Sequence, residues 1–144
     1  MTAKFFLNQI RRITMRIKFK QQEIAEMEAN IKDLHGTNFD DVKVQQSCTG
    51  GAGFEDMVAY TENLRAELNR DLAALAKCRH DIISKLNMLE KERYSRVLFL
   101  KYVKLMDYAQ IGTVMGYSVN YTREIHSKAI REFEHLLMQM KKAM

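Results

Sequence analysis

Eight polar or aromatic side chains follow one another at helical spacing between residues 118 and 131. They are Ser118, Asn120, Tyr121, Arg123, Glu124, Ser127, Lys128 and Arg131. An asparagine amide can bond the edge of adenine in the major groove and an arginine can bond guanine, while lysine and arginine also bind phosphate oxygens. This combination on one helix predicts a surface that binds double-stranded DNA. For Tyr121 two interpretations stay open, a DNA contact or a core residue.

Two helices with a tight turn between them would present these side chains. Asp107 can cap the first helix, because its carboxylate accepts backbone N–H groups that the first turn leaves unpaired. Gly116 falls where a helix commonly ends in a left-handed conformation, and Ser118 can cap the second helix. The apolar stripe of the second helix consists of Val119, Thr122, Ile125, Ala129, Ile130 and Phe133. Residues 107–133 therefore match a helix-turn-helix, and the alternative is a helical hairpin that serves packing alone.

The segments on either side of this pattern are also helical in character. Residues 92–105 are apolar on more than one side, which predicts a buried helix that supports the helix-turn-helix. Residues 135–144 are expected to extend the second helix. We assign His126 to a helix face rather than to a ligand set or a pH switch.

The composition predicts a nearly all-α protein. The chain of 144 residues contains no proline, and four of its six glycines lie between Gly36 and Gly53. Two long segments are therefore free of strong helix breakers. The formal net charge is +5, with the basic excess at the two ends of the chain, which favours an anionic partner without identifying it.

Residues 4–34 and 54–91 are predicted to form two long helices. In the first, isoleucine recurs every seventh residue, at Ile10, Ile17, Ile24 and Ile31, as in the seam of a coiled coil. Lys20 interrupts this seam. In the second, the apolar stripe departs from a strict heptad around Asp71 and Cys78, so that Leu72 rather than Asp71 is expected in the stripe. The two helices can pair antiparallel within one chain or form a bundle between two chains, and the sequence does not choose.

The sequence gives no support for catalysis, a metal or a cofactor. It contains no Ser-His-Asp, Cys-His or paired-carboxylate pattern, and Cys48 and Cys78 match no metal-ligand spacing. We therefore expect a protein that is not an enzyme. Arg11 and Arg12 cut short the apolar run at the N-terminus, so we expect no signal peptide, no membrane span and a cytoplasmic location with two free thiols.

Residues 92–133 resemble region 4 of sigma-70-type sigma factors, the part that reads the upstream promoter element. The matching features are the apolar helix RVLFLKYV, the capped first helix DYAQIGTVMG and the ending KAIREF. The whole chain resembles small phage and prophage proteins of Gram-positive bacteria and, more distantly, the ArpU- and RinA-type regulators of phage late genes. This resemblance implies a phage-encoded regulator in a bacterial host cell. It also implies that Arg123 and Glu124 occupy positions that contact bases or phosphates.

These patterns predict an all-α fold in which a long N-terminal helical hairpin or coiled coil is followed by a sigma region-4-like helix-turn-helix. The expected domains are residues 1–91, with a flexible linker at 35–53, and residues 92–144. The expected function is sequence-specific DNA binding in transcription regulation, with helix 118–133 in the major groove. The alternative is a sigma-like module that binds RNA polymerase or a regulator. We also expect a homo-oligomer formed through the long helices.

Overall fold

A computed structural model describes residues 2–36 and 53–143, with only the backbone at residues 34–36. Within these residues the chain forms helices and no strand, so the expected all-α class is confirmed. The α-helices are α1 (Ala3–Leu7), α2 (Gln9–Gly36), α3 (Gly53–Leu86), α4 (Glu92–Leu98), α5 (Tyr108–Met115) and α6 (Val119–Ala143), and a π-helical turn (Phe99–Val103) follows α4. The predicted linker at 35–53 lies outside the described residues except at its two ends.

The chain divides into two compact units. The first, called the core unit, consists of the described residues of Met1–Thr14 and Ala74–Met144. The second, called the hairpin unit, consists of the described residues of Met15–Ala73. The predicted helix-turn-helix lies within the core unit.

In the hairpin unit, α2 and α3 run antiparallel. Lys20 on α2 pairs with Asp71 on α3, with 2.6 Å between Nζ and Oδ2. Glu28, which comes later on α2, pairs with Arg65, which comes earlier on α3. The buried side chains between the two helices are those of Ile17, Ile24, Thr61 and Leu64. The two long helices therefore pair within one chain, which is one of the two arrangements that the sequence left open.

The polar interruptions of the two helical seams face each other. Asp71 keeps its place between the helices, where its side chain is only 13% exposed, and it accepts a hydrogen bond from Lys20. Leu72, toward which the stripe was predicted to drift, is 44% exposed instead. The predicted drift toward Leu72 was wrong. Apolar spacing along one helix does not show that Asp71 has a cationic partner on the opposite helix, which allows the aspartate to stay in the seam.

Side chains from every helix build the core unit. Those with almost no exposed surface are Leu7, Ile10, Ile82, Leu86, Val97, Leu98, Ile111, Thr122, Ile125 and Phe133. The ring of Phe6 on α1 stacks on that of Phe133 on α6, with 6.0 Å between the ring centroids. The N-terminal helix thus helps to hold α6, although more than a hundred residues separate the two in sequence.

Both long helices are shorter than predicted. The first is interrupted at Asn8, where Arg12 donates a hydrogen bond to the Phe5 carbonyl (3.1 Å) and stacks its guanidinium on the Phe5 ring. The second ends at Leu86, where the Leu89 N–H bonds the Leu86 carbonyl (3.1 Å) three residues back. Such short-range bonds tighten and end a helix without any glycine or proline.

The predicted helix at 92–105 changes its pitch halfway. After α4 the chain widens into the π-helical turn, where the Lys104 N–H bonds the Phe99 carbonyl (3.1 Å), and Leu105 then adopts a left-handed conformation (φ 57°). The apolar residues of this segment do not fit one α-helical stripe, and a π-turn shifts the register of the residues that follow it. Its predicted burial is confirmed, since Tyr94, Val97, Leu98, Leu100, Tyr102 and Val103 all belong to the core.

Candidate nucleic-acid interface

The first turn of α5 is capped from both directions. Asp107 Oδ1 accepts a hydrogen bond from the Gln110 N–H (2.8 Å), and Gln110 Oε1 accepts one from the Asp107 N–H (3.0 Å). At the other end Gly116 is left-handed (φ 75°), a conformation that costs most residues energy but not glycine. The predicted start and end of this helix are confirmed.

The turn between α5 and α6 depends on Gly112, for which the helix-turn-helix pattern gave no role. A Cβ atom on Gly112 would lie 2.6 Å from the Tyr117 carbonyl oxygen, so no other residue fits without movement of the backbone. The Tyr117 N–H in turn donates to the Gly112 carbonyl (2.8 Å). A glycine inside a short helix makes that helix less stable than alanine would. Its presence there is therefore a sequence signal that another part of the backbone packs closely against the helix.

The start of α6 is fixed by Ser118, as predicted. Ser118 Oγ accepts a hydrogen bond from the Tyr121 N–H (3.1 Å), which satisfies one of the free donors of the first turn. Thr122 Oγ1 donates to the Ser118 carbonyl (2.8 Å) and is fully buried. The helix then continues to Ala143, so the predicted extension beyond residue 133 is confirmed.

The two faces of α6 differ sharply in exposure. Thr122, Ile125, Ala129, Ile130 and Phe133 are buried in the core unit. All eight residues predicted to contact DNA are exposed: Ser118, Asn120, Tyr121, Arg123, Glu124, Ser127, Lys128 and Arg131. The structure therefore brings these residues together on the outward side of one helix.

Aromatic and apolar side chains surround the start of this outward face. Tyr121 is exposed, so the core interpretation of this residue is excluded, and its ring meets that of Tyr117 edge to face with centroids 4.8 Å apart. Val119 was predicted on the buried stripe but is 40% exposed, so the buried stripe begins at Thr122. Val114 on α5 is exposed as well.

His126, predicted on a face of the second helix, lies on the buried face of α6. It is buried beneath α5, and its Nε2 lies 2.7 Å from the Tyr102 hydroxyl while its Nδ1 lies 3.3 Å from the Tyr108 hydroxyl. Neutral imidazole has one donor and one acceptor, so one tyrosine accepts a hydrogen bond and the other donates. The cluster connects the π-helical turn, α5 and α6. Its three residues lie far apart in sequence, so no local pattern predicted that they would meet.

Burial shapes the electrostatics of this cluster. It lowers the pKa of His126 to about 4, an effect to which the charges of Lys101 and Lys4 add. Burial also raises the pKa of Tyr102 to about 12. His126 and Tyr102 are therefore neutral near pH 7, and their hydrogen bond supports α6 from below.

Cations gather on the exposed side of this cluster. Lys101 Nζ lies 4.4 Å from the centroid of the Tyr108 ring, and Arg123 Cζ lies 5.5 Å from the same centroid. Further along α6, Lys128 Nζ lies 3.3 Å from Glu124 Oε1, and both of these side chains are more than half exposed. A pair as exposed as this is weak and can be displaced by a competing anion.

Positive charge is concentrated in the unit that contains α6. The sequence ranges of the core unit carry 16 Lys and Arg against 7 Asp and Glu, a formal net charge of +9. The range of the hairpin unit carries 7 against 11, a net charge of −4. The overall value of +5 therefore conceals two units of opposite sign.

Comparisons with protein-family models, with curated proteins and with solved structures found no match to this chain. Among the described helices, none combines the length and the apolar character that crossing a membrane requires.

Proposed function

We propose that the protein binds duplex DNA with sequence specificity and regulates transcription, with α5 and α6 acting as a helix-turn-helix. The observation that carries this proposal is the outward face of α6, where eight side chains suited to DNA are exposed while the opposite face is buried. A recognition helix needs both properties, since one face must enter the major groove and the other must be held by the domain.

The residues of this face take different roles in the proposal. Asn120 and Arg123, in the first two turns of α6, read base edges in the major groove, and Tyr121 packs against the sugar-phosphate backbone or a thymine methyl. Lys128 and Arg131 lie further along the helix and bind phosphates, which orient the protein on the duplex without reading sequence. Lys128 exchanges its weak pairing with Glu124 for a phosphate when DNA binds.

The charge distribution supports the same assignment. A net charge of +9 on the ranges of the core unit attracts the phosphate backbone and accelerates association at low ionic strength. The resemblance of residues 92–133 to sigma region 4 points to a bacterial transcription system, and the resemblance of the whole chain to phage proteins points to a phage-encoded regulator in the bacterial cytoplasm.

The alternative function is a sigma-like module that binds RNA polymerase or a regulatory protein. The observation in its favour is apolar surface on the core unit, where Val114 is 58% and Met138 is 64% exposed. Exposed apolar side chains contribute to a protein interface when a partner covers them together as one patch. Copurification with RNA polymerase core enzyme in the absence of DNA would support this alternative.

The proposal is tested by selecting binding sites from random duplex DNA with the full chain and measuring affinity for the selected site. We expect Arg123→Ala to lower the affinity by about 1–3 kcal/mol and to relax specificity at one base pair, because a bidentate contact to a base is lost. The matched control is Arg70→Ala on α3, an exposed arginine of the hairpin unit, which should leave affinity and specificity almost unchanged.

Failure to enrich any sequence, together with no binding to any duplex at low salt, would contradict the proposal. Equal effects of the Arg123 and Arg70 substitutions would instead show that the outward face of α6 is not the interface.

A further inference from the structure

An aromatic pair lies at the start of the outward face of α6. The ring of Tyr117, in the turn before the helix, meets that of Tyr121, in the first helical turn, edge to face with 4.8 Å between the ring centroids. Tyr121 is 40% exposed, and Asn120, its neighbour in the chain, is exposed as well. The end of α6 that is proposed to read bases therefore presents an aromatic surface beside its polar groups.

Local hydrogen bonds hold both tyrosines in place. The Tyr121 N–H donates to Ser118 Oγ (3.1 Å), which fixes the backbone of Tyr121 in the first turn of α6. The Tyr117 N–H donates to the Gly112 carbonyl (2.8 Å), and the Tyr117 carbonyl oxygen lies so close to Gly112 that a Cβ atom there would be only 2.6 Å away. Because both backbones are fixed and the two rings touch, the Tyr121 ring has little freedom to lose when a ligand packs against it.

The major groove of DNA offers one kind of group that matches an exposed aromatic ring. The base edges there present hydrogen-bond donors and acceptors, and their one apolar group is the C5-methyl of thymine. A methyl group that leaves water for the surface of a ring contributes favourable free energy, whereas a donor or acceptor covered by the same ring would lose its hydrogen bonds with water. Asn120 can bond adenine, the base that pairs with thymine, so an A·T-containing site suits both side chains.

We propose that Tyr121, supported by the ring of Tyr117, is a specificity-determining residue that binds the methyl group of a thymine in the target site. The inference rests on the proposed DNA binding, and it selects the thymine methyl over the sugar-phosphate backbone as the group that Tyr121 contacts. The position of Tyr121 favours this choice, because the residues at the start of a recognition helix lie nearest to the base edges.

The test replaces thymine by deoxyuridine, at one position at a time, in the site selected for the full natural chain. Deoxyuridine pairs with adenine as thymine does and lacks only the methyl group, so every hydrogen-bonding edge in the groove is kept. At the contacted position we expect the affinity to fall about fourfold, the factor that corresponds to the burial of one methyl group. Deoxyuridine outside the selected site should leave the affinity unchanged.

Two variants of Tyr121 separate the ring from its hydroxyl. Tyr121→Phe keeps the ring and should retain the preference for thymine over uracil at the contacted position, whereas Tyr121→Ala should abolish this preference. The matched control is Tyr60→Ala, which removes an exposed tyrosine of the hairpin unit and should keep the preference of the natural protein.

The possible failures are distinguishable. Equal affinity of the natural protein for thymine and uracil at every position of the site would overturn the thymine contact and leave the proposed DNA binding intact. An equal loss of affinity for both DNAs in Tyr121→Phe would also overturn it, because the hydroxyl would then bind the backbone. A preference that persists in Tyr121→Ala would assign the methyl group to another residue. Absence of DNA binding by the natural protein would remove the proposed function itself and this contact with it.

Discussion

His126 is the most constrained titratable side chain near the proposed interface. Its two ring nitrogens meet two tyrosine hydroxyls, and its exposed fraction is only 6%. A protonated ring would carry a desolvated charge close to Lys101 and Lys4. The neutral form is therefore part of the folded structure, and acid should weaken the hold on α6.

We predict a pH-dependent loss of stability that originates at His126. Its pKa is about 4 in the folded protein and about 6.5 in an unfolded chain, so the unfolded state binds a proton first. The stability is fully present above pH 6.5 and is lost as the pH falls toward 4, by about 2–3 kcal/mol. Denaturant unfolding across this pH range, for the natural protein and for His126→Gln, measures the contribution of His126 as the difference between their free energies of unfolding. The carboxylates titrate in both proteins, so their effect cancels in this difference.

The comparison has an internal control. His80→Gln changes an exposed histidine on α3 and should give a pH profile parallel to that of the natural protein. If the profile of His126→Gln were also parallel, the protonation of His126 would not be the cause of the stability lost in acid.

At the scale of the helices, the Lys20–Asp71 pair decides how α2 and α3 align. A charged pair in an otherwise apolar seam contributes little net stability, because desolvation opposes the attraction. It does penalise any shift of one helix along the other, since a shift places both charges against apolar groups. The pair therefore favours one antiparallel register over its neighbours.

We predict opposite outcomes for single and double substitutions at this pair. Lys20→Leu or Asp71→Leu alone should lower stability by about 1–3 kcal/mol, because the remaining charge stays partly buried and keeps only a longer ion pair, Asp71 with Arg16 (4.0 Å) or Lys20 with Glu67 (3.6 Å). The double substitution should restore stability or exceed that of the natural protein. Chemical denaturation of the three variants measures this coupling.

The exposed ion pair between Arg65 and Glu28 is the control with which the stability changes of these variants are compared. Both side chains are more than 40% exposed, so Arg65→Ala should change stability less than either single substitution in the seam. Additive effects of Lys20→Leu and Asp71→Leu would contradict the coupling, since independent sites add and a contacting pair does not.

At the scale of the whole molecule, the two units differ in net charge and in the way their helices pack. The core unit has the basic excess and the outward face of α6, while the described part of the acidic hairpin unit is a pair of helices with one seam between them. Seam residues such as Met27, Ile31 and Leu68 are only half-buried, and Phe19 is 66% exposed. Apolar surface of this kind on a two-helix unit can be covered by a second copy.

We predict that the protein forms a dimer through its long helices at micromolar concentration. Light scattering should give twice the chain mass of 16.9 kDa. Phe19→Ser should shift the population toward monomer, whereas Gln22→Ser, which changes an exposed polar residue on the same helix, should not. A mass of one chain at every concentration would contradict the prediction.

The sequence alone determined the helical class and the ends of α5, because the signals for both are local. Caps such as Asp107 and Ser118 bond their own first turn, and Gly116 meets a conformational need of its own backbone. Helical spacing likewise predicted which side of α6 is outward, since a period of 3.6 residues separates polar from apolar faces. DNA binding and the roles of the exposed residues are still predictions.

Only the tertiary structure decided the features that join distant parts of the chain. It buried His126 between two tyrosines, paired Lys20 with Asp71, and placed Lys101 and Arg123 over the Tyr108 ring. A spacing rule describes the surroundings of a residue along its own helix, whereas these contacts depend on which helices pack together. The chain therefore encodes the outward face of α6 locally, but the support beneath it and the cations beside it exist only once the helices have assembled.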